Sequence, residues 1–423
     1  MSAATDLITP PPAWTRRLPL GYGWVMVALA ALAMVATLPG RTQGLGLITE
    51  PLLRDLKLDR IQYAQLNLWT TLLGATFCLG FGRLLDRWGA RCVLTLVAAA
   101  LGLAVVGMSF CQTPAQLAVA LGFIRGLGQS ALSAVSISLV GQWFRDGSPR
   151  AMATYSLLLS FGFMLAFPLL GAGISTLGWR VAWFDLGIAV LVVGVLAWVF
   201  GRDSAKQAGV AEPSSLPGDR DFTATAALKT PAFWVFGLGG ALYGLVASGI
   251  GLFNENILGE LGFPPALYHR TLAVTALTGL AGNFLGGWLG QRCPPRVLMT
   301  GALTLLAAGL LALPHLRQEG TVYAQAVLMG LSGGLVTVIF FGYWVATFGR
   351  SALGVIQGSA QALTVAASAV GPLLLVRAQQ ATGSYAACFQ WLALATLLMA
   401  ALAAVVPQPI APSRTDSPRA PVG

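Results

Sequence analysis

Apolar runs about twenty residues long follow one another from Gly21 almost to the end of this 423-residue chain. That succession constrains the fold more than any other feature. A helix that crosses a bilayer needs about 20 consecutive, predominantly apolar residues. Only 9% of the chain is charged, 56% is hydrophobic, and the mean hydropathy is +0.74. Water-soluble domains carry roughly 25% charged residues, so this chain has too little charge to cover a wet surface. The fold class that follows is an all-α integral membrane protein, because a helix satisfies its own backbone hydrogen bonds in lipid.

Twelve transmembrane helices are predicted, at 21–47, 62–83, 91–111, 114–143, 150–177, 179–200, 231–257, 266–290, 296–316, 321–348, 352–377 and 383–405. The stretch 201–230, rich in charge, Pro, Ser and Gly, separates six from six. The expected organisation is an N-terminus over 1–20, a six-helix half over 21–200, a central loop over 201–230, a second half over 231–405 and a Pro-rich tail over 406–423. Residues 1–19 show no secretory cleavage pattern, so the first run is expected to remain as a helix.

Lys and Arg in short loops set orientation. With the N-terminus inside, the inner segments hold 16 of the 25 basic residues and the outer ends hold 7. Both termini, the central loop and the tail are therefore expected to be cytoplasmic, in a plasma (inner) membrane. The net charge of +10 is spread in small groups between apolar runs. A nucleic-acid site would cluster it on one face, so nucleic acid is not an expected partner. The five cysteines show no metal-ligand spacing, and neither a metal nor a cofactor is expected.

The two halves repeat. Gly82 and Gly286, Phe144 and Phe348, and Pro168 and Pro372 each stand 204 residues apart. Three matches at one offset argue for a duplicated six-helix unit. Parallel repeats around a midplane site are a known transporter plan.

The stretch "GRLLDRWGAR", 82–91, resembles the signature between helices 2 and 3 of the major facilitator superfamily, with Gly82, Leu84, Asp86, Arg87, Gly89 and Arg91 matching. "RGLGQ", 125–129, resembles that family's arginine-glycine element in helix 4. The resemblance implies two pseudo-symmetric six-helix halves and alternating access. It also implies a gating role for Gly82, Asp86, Arg87 and Arg91 as a link between the halves; a solvated, topology-fixing loop is the other reading. "PGRTQG", "QWFRDGSPRAMA", "GWR" and "KTPAFWVF" are similar to segments of the monocarboxylate-porter and oxalate/formate-antiporter branch. That branch's aspartate-arginine pair in helix 8 has no counterpart here.

Candidate substrate-binding residues are polar groups stranded in apolar runs. Arg125 stands near mid-depth in helix 4, where an arginine costs roughly 2.5–3.5 kcal/mol on insertion scales. Gln129, four residues on, shares its face. A guanidinium grips a carboxylate through two parallel hydrogen bonds; an arginine paired with backbone carbonyls is the structural alternative. Arg41 lies in "LPGRTQG", where Pro39, Gly40 and Gly44 loosen helix 1; a cavity role and an arginine snorkelling to the interface are its two readings. Asn254 and Glu255 sit near the end of helix 7, with Glu255 the candidate proton carrier; a helix-end residue exposed to water is its other reading. Helices 1, 4, 7 and 10 line the cavity in the resembled family, which makes Tyr243, Tyr343 and Trp344 cavity candidates; for Trp344 an interfacial belt is the expected place. Arg180 is expected to pair with Asp185 in "GWRVAWFD".

The leading expectation is a secondary active transporter of a small organic anion such as a monocarboxylate. Its partners would be that solute, the bilayer, and protons or a counter-transported anion, with a monomer as the expected state. No GxxxxGK[ST] phosphate loop occurs, and clustered catalytic side chains are lacking, so an enzyme is not expected. An exporter of amphipathic compounds and a non-transporting receptor on the same scaffold are the alternatives.

Overall fold

The computed structural model describes residues 22–143, 149–203, 222–349 and 352–409. All regular structure among them is helical. Helix 1 is not one rod. α1 spans Tyr22–Val35, a single tight turn follows at Leu38–Gly40, α2 spans Thr42–Gly46, and α3 spans Thr49–Leu56. Pro39 lies in that turn and Arg41 adopts extended backbone, so the α-helical ladder stops where proline removes a donor. Helix 1 thus runs past its expected end at 47 into α3, whose Thr49, Leu52 and Leu53 face inward while Arg54 and Asp55 face out.

α4, Arg60–Ser109, carries both helices 2 and 3. Asp59 caps its start by accepting from the Gln62 amide at 2.7 Å. Gly89, at φ +78° and ψ 161°, turns the chain between the two arms. Helix 4 comprises α5, Pro114–Ile124, then a π-helical segment, Arg125–Leu132, then α6, Ser133–Trp143. α7, Pro149–Leu177, and α8, Trp179–Phe200, complete the first half. After the short α9, Ala224–Leu228, the second half comprises α10, Pro231–Glu260, α11, Pro265–Leu289, α12, Pro295–Ala312, α13, Glu319–Phe348, α14, Leu353–Thr382, and α15, Ala386–Val405.

All twelve expected helices are therefore present. Eleven of the described segments are long and apolar enough to cross a membrane. The remaining helix, 60–88, is the one that carries buried Asn67, Thr70 and Thr71. The internal repeat persists in detail: Pro168 lies inside α7 and Pro372 inside α14. Phe348 closes α13; Phe144 lies outside the described residues.

The halves meet through α10 against α2, α11 against α7, and α14 against α4. Tyr268 of α11 places its hydroxyl within 3.5 Å of the Gln43 carbonyl and 3.4 Å of the Gly251 carbonyl. The ring of His269 packs over Gly171 of α7. These contacts gather at the end of the molecule that carries α3.

Candidate functional site

Helix 4 departs from α-geometry where Arg125 begins its sequence "RGLGQSAL". A π-helical turn holds one extra residue and often marks a functional position. The break in helix 1 sits directly against it. A β-carbon on Gly40 would stand 2.6 Å from the Ile124 carbonyl oxygen and 2.9 Å from the Gln129 nitrogen. Only glycine lets these two irregular segments approach so closely. That contact brings the backbone of helix 1 to the guanidinium of Arg125.

Arg125 is 1% exposed. Its Nη1 donates to the Gly40 carbonyl at 3.2 Å, to Thr42 Oγ1 at 3.0 Å and to Gln129 Oε1 at 2.9 Å. Its Nη2 donates to Asn67 Oδ1. Every acceptor is neutral. The ion pairs among the described residues are Arg60 with Glu50 at 3.0 Å and Arg180 with Asp55 at 2.8 Å. Arg125 thus holds a full positive charge inside the protein without a carboxylate to balance it. A buried charge in that position costs several kcal/mol unless it is paired.

Arg41, between the Gly40 and Thr42 that Arg125 contacts, is half-buried. Its Nε donates to Thr37 Oγ1 at 2.7 Å, its Nη2 lies 3.0 Å from Met34 Sδ, and its guanidinium stacks 5.2 Å from the Phe163 ring centre. It too has neutral partners only. The two arginines flank the same break in helix 1.

The structure does not gather the remaining candidates around Arg125. Tyr243 of α10 is half-buried with its hydroxyl against Gly333 of α13. Tyr343 stacks on Phe236, ring centres 3.6 Å apart, within an aromatic group that includes Trp344 and Phe348. Asn254 and Glu255 are half-buried, and Glu255 lies in the electrostatic reach of Glu50 and Arg54 across the halves. Next to them, Asn256 Oδ1 accepts from the Tyr385 hydroxyl at 2.7 Å.

Two expectations are corrected. Trp344 is not at an interface but 1% exposed, because the rings of Phe233, Phe340 and Phe348 enclose it. Arg180 does not pair with Asp185. It reaches Asp55 of α3 and also caps the carbonyls of Ser109 and Cys111 at 2.7 Å each. The unforeseen length of α3 supplies that partner.

Of the gating residues, Gly82 lies in α4, and the side chains of Asp86 and Arg87 lie outside the described residues. Arg91 binds within its own half. Its backbone N–H donates to Asp203 Oδ1 at 3.0 Å, and its guanidinium donates to the Trp198 carbonyl at 2.7 and 3.0 Å.

Sequence reasoning missed Asn67 and Tyr63. Both are buried on α4, four residues apart on one helix face, and Tyr63 is close enough to feel the charge of Arg125. The available signal was an asparagine with two threonines inside an apolar run.

The family model of the Major Facilitator Superfamily matches residues 20–256. The chain is 28% identical to monocarboxylate transporter 11 of Mus musculus over 402 residues, covering 87% of this chain and 84% of that protein. It is 27% identical to the probable nitrate/nitrite transporter NarK2 of Mycobacterium tuberculosis over 335 residues, covering 75% and 79%. Among solved structures, the nucleoside transporter NupG superposes with a TM-score of 0.70 at 10% identity, covering 90% of this chain and 98% of that one. A bacterial homologue of the human lysosomal transporter Spinster, inward-facing and unoccupied, gives 0.68 at 16% identity, covering 91% and 96%. Two internally related six-helix halves, a buried arginine among helices 1, 2 and 4 and a family match over more than half the length converge: the chain belongs to the major facilitator superfamily.

Proposed function

We propose that this secondary transporter carries a small planar monoanion, a monocarboxylate above all, with Arg125 as its counter-charge. The observation that carries the reading is the fully buried guanidinium held by neutral oxygens alone. An anion that enters such a site gains a charge-assisted, fork-shaped contact. It also removes the cost of the unbalanced charge. The relatives' names support the same class: a monocarboxylate and nitrate or nitrite all present oxygens in one plane to a planar guanidinium. Arg41, on the other side of the helix 1 break, adds positive potential along the approach.

In this reading the solute crosses by alternating access, with the half-to-half contacts at the α3 end forming one closed gate. Gly82, Asp86, Arg87 and Arg91 serve the opposite gate. Glu255, facing Glu50 and Arg54 across the halves, is the proton carrier. The uneven distribution of Lys and Arg supports an inner-membrane protein with cytoplasmic termini.

The test is initial-rate uptake into proteoliposomes, using radiolabelled formate, acetate, pyruvate and nitrate with and without an inward proton gradient. Saturable uptake of at least one anion is expected, faster with the gradient. Failure of every anion, together with transport of an amphipathic dye, contradicts the proposal.

A further inference from the structure

The guanidinium of Arg125 is not used evenly. Its Nη1 is saturated by three acceptors. The opposite edge, formed by Nε and Nη2, carries one partner, Asn67 Oδ1 on Nη2. The Nε–H on that edge has no partner among the described residues although it is buried. This is the edge with which arginine takes a carboxylate side-on through two parallel hydrogen bonds.

Asn67 is 1% exposed, and its Nδ2 amide also lacks a partner among the described residues. Arginine offers donors only, so the amide must turn its oxygen toward Nη2. Its NH2 group is thereby directed away from Arg125 with its two donors unused. Thr71, one helical turn along α4, is 5% exposed and its hydroxyl is likewise unpartnered. Gly74 continues the face: a β-carbon there would stand 3.0 Å from the Arg125 β-carbon. This glycine seats α4 tightly against the π-helical segment. A buried donor left without an acceptor has lost its water and recovered nothing in exchange. The guanidinium's own Nε–H and two neighbouring groups, the Asn67 amide and the Thr71 hydroxyl, form a site that is short of acceptors, and an oxyanion supplies them.

We infer that Asn67 is a placeholder and specificity residue of the anion site; the inference rests on the anion reading above. In the empty protein its side-chain oxygen occupies Nη2. When a carboxylate arrives, its two oxygens take Nε–H and Nη2–H, and Asn67 Oδ1 is displaced. The amide then rotates to donate Nδ2–H to the carboxylate, with the Thr71 hydroxyl as a further donor. The chemistry that fits is a planar oxyanion of single charge. The face of α4 that meets Arg125 adds neutral donors only, which suits a single negative charge on the guanidinium.

The decisive variant is Asn67→Asp. It is nearly isosteric and gives Arg125 a better acceptor, so the fold is retained. It also places a permanent carboxylate where the solute's carboxylate must bind. Uptake of radiolabelled pyruvate by proteoliposomes, with thermal melting of the same preparations, is measured for wild type, Asn67→Asp, Asn67→Ala and Arg125→Ala. The expected result is at least a tenfold loss of uptake in Asn67→Asp with a melting temperature equal to or above wild type. Asn67→Ala, which leaves the edge of Arg125 uncapped, is expected to transport with an altered KM. Uptake by Asn67→Asp within twofold of wild type, while Arg125→Ala is inactive, overturns the inference and leaves the anion reading standing. Absence of saturable anion uptake in wild type overturns both.

Discussion

Gly46 of α2 lies against the carbonyl oxygen of Gly251 on α10, so close that a β-carbon on Gly46 would collide with it and stand 2.6 Å from the Tyr268 hydroxyl. Helix 1 of one half and helix 7 of the other thus touch backbone to backbone. Small residues permit such contact in lipid, where packing rather than hydrophobic burial holds helices together. In the alternating-access reading this contact forms in one arrangement of the halves and breaks when they separate.

Gly46→Val is therefore expected to oppose closure at the α3 end. Uptake should fall at least tenfold, while labelling of a cysteine introduced at Asn254 by a membrane-impermeant maleimide should rise. Unchanged labelling and uptake would show that this contact is not part of a gate.

Arg125→Lys keeps the charge and removes the planar fork. A lysine cannot satisfy Gly40, Thr42, Gln129 and Asn67 together, and it offers no bidentate edge. An increase in KM of at least tenfold is expected in pyruvate uptake, with less effect on maximal rate. A KM equal to wild type would mean that charge alone suffices.

Much of the fold was legible because lipid imposes a simple rule on backbone hydrogen bonds. The twelve apolar runs became helices, and Pro168 and Pro372 fell at matching places inside α7 and α14. Arg125 was legible for the same reason: an arginine amid apolar residues must have a purpose or a partner. What could not be read were contacts between distant segments. Asn67 meets Arg125 across 58 residues, and Asp55 meets Arg180 across 125. Local spacing pointed Arg180 to Asp185 instead. Trp344 at a helix end read as an interfacial residue, because nothing in its neighbourhood announced the packing of Phe233 from another helix. The extension of helix 1 into α3 was hidden by its charges, which looked like a loop and are one face of a short amphipathic helix.

The Asp55–Arg180 pair holds α3 to the start of α8. Its side chains are 42% and 34% exposed, so water screens it. Exposed pairs are worth roughly 0.2–1 kcal/mol. Asp55→Ala, which also removes the acceptor of Trp179 Nε1 at 3.1 Å, should lower thermal stability only slightly at low salt. The difference should shrink further at high salt. A large, salt-independent loss would show that α3 is anchored mainly here.

Glu255→Gln removes a titratable group while keeping its shape. If Glu255 carries the coupling proton, acceleration of uptake by an inward proton gradient should vanish, while anion exchange without a gradient persists. Gradient-stimulated uptake at the wild-type level would place coupling elsewhere.

The central claim is that Arg125 is the counter-charge of a transported monoanion. Isothermal titration of pyruvate or nitrate into purified wild-type protein and Arg125→Ala tests it most directly. Saturable one-site binding by wild type, lost in a variant that melts normally, is the predicted result. Equal binding by both proteins would contradict the claim and leave Arg125 as a structural tie between helices 1, 2 and 4.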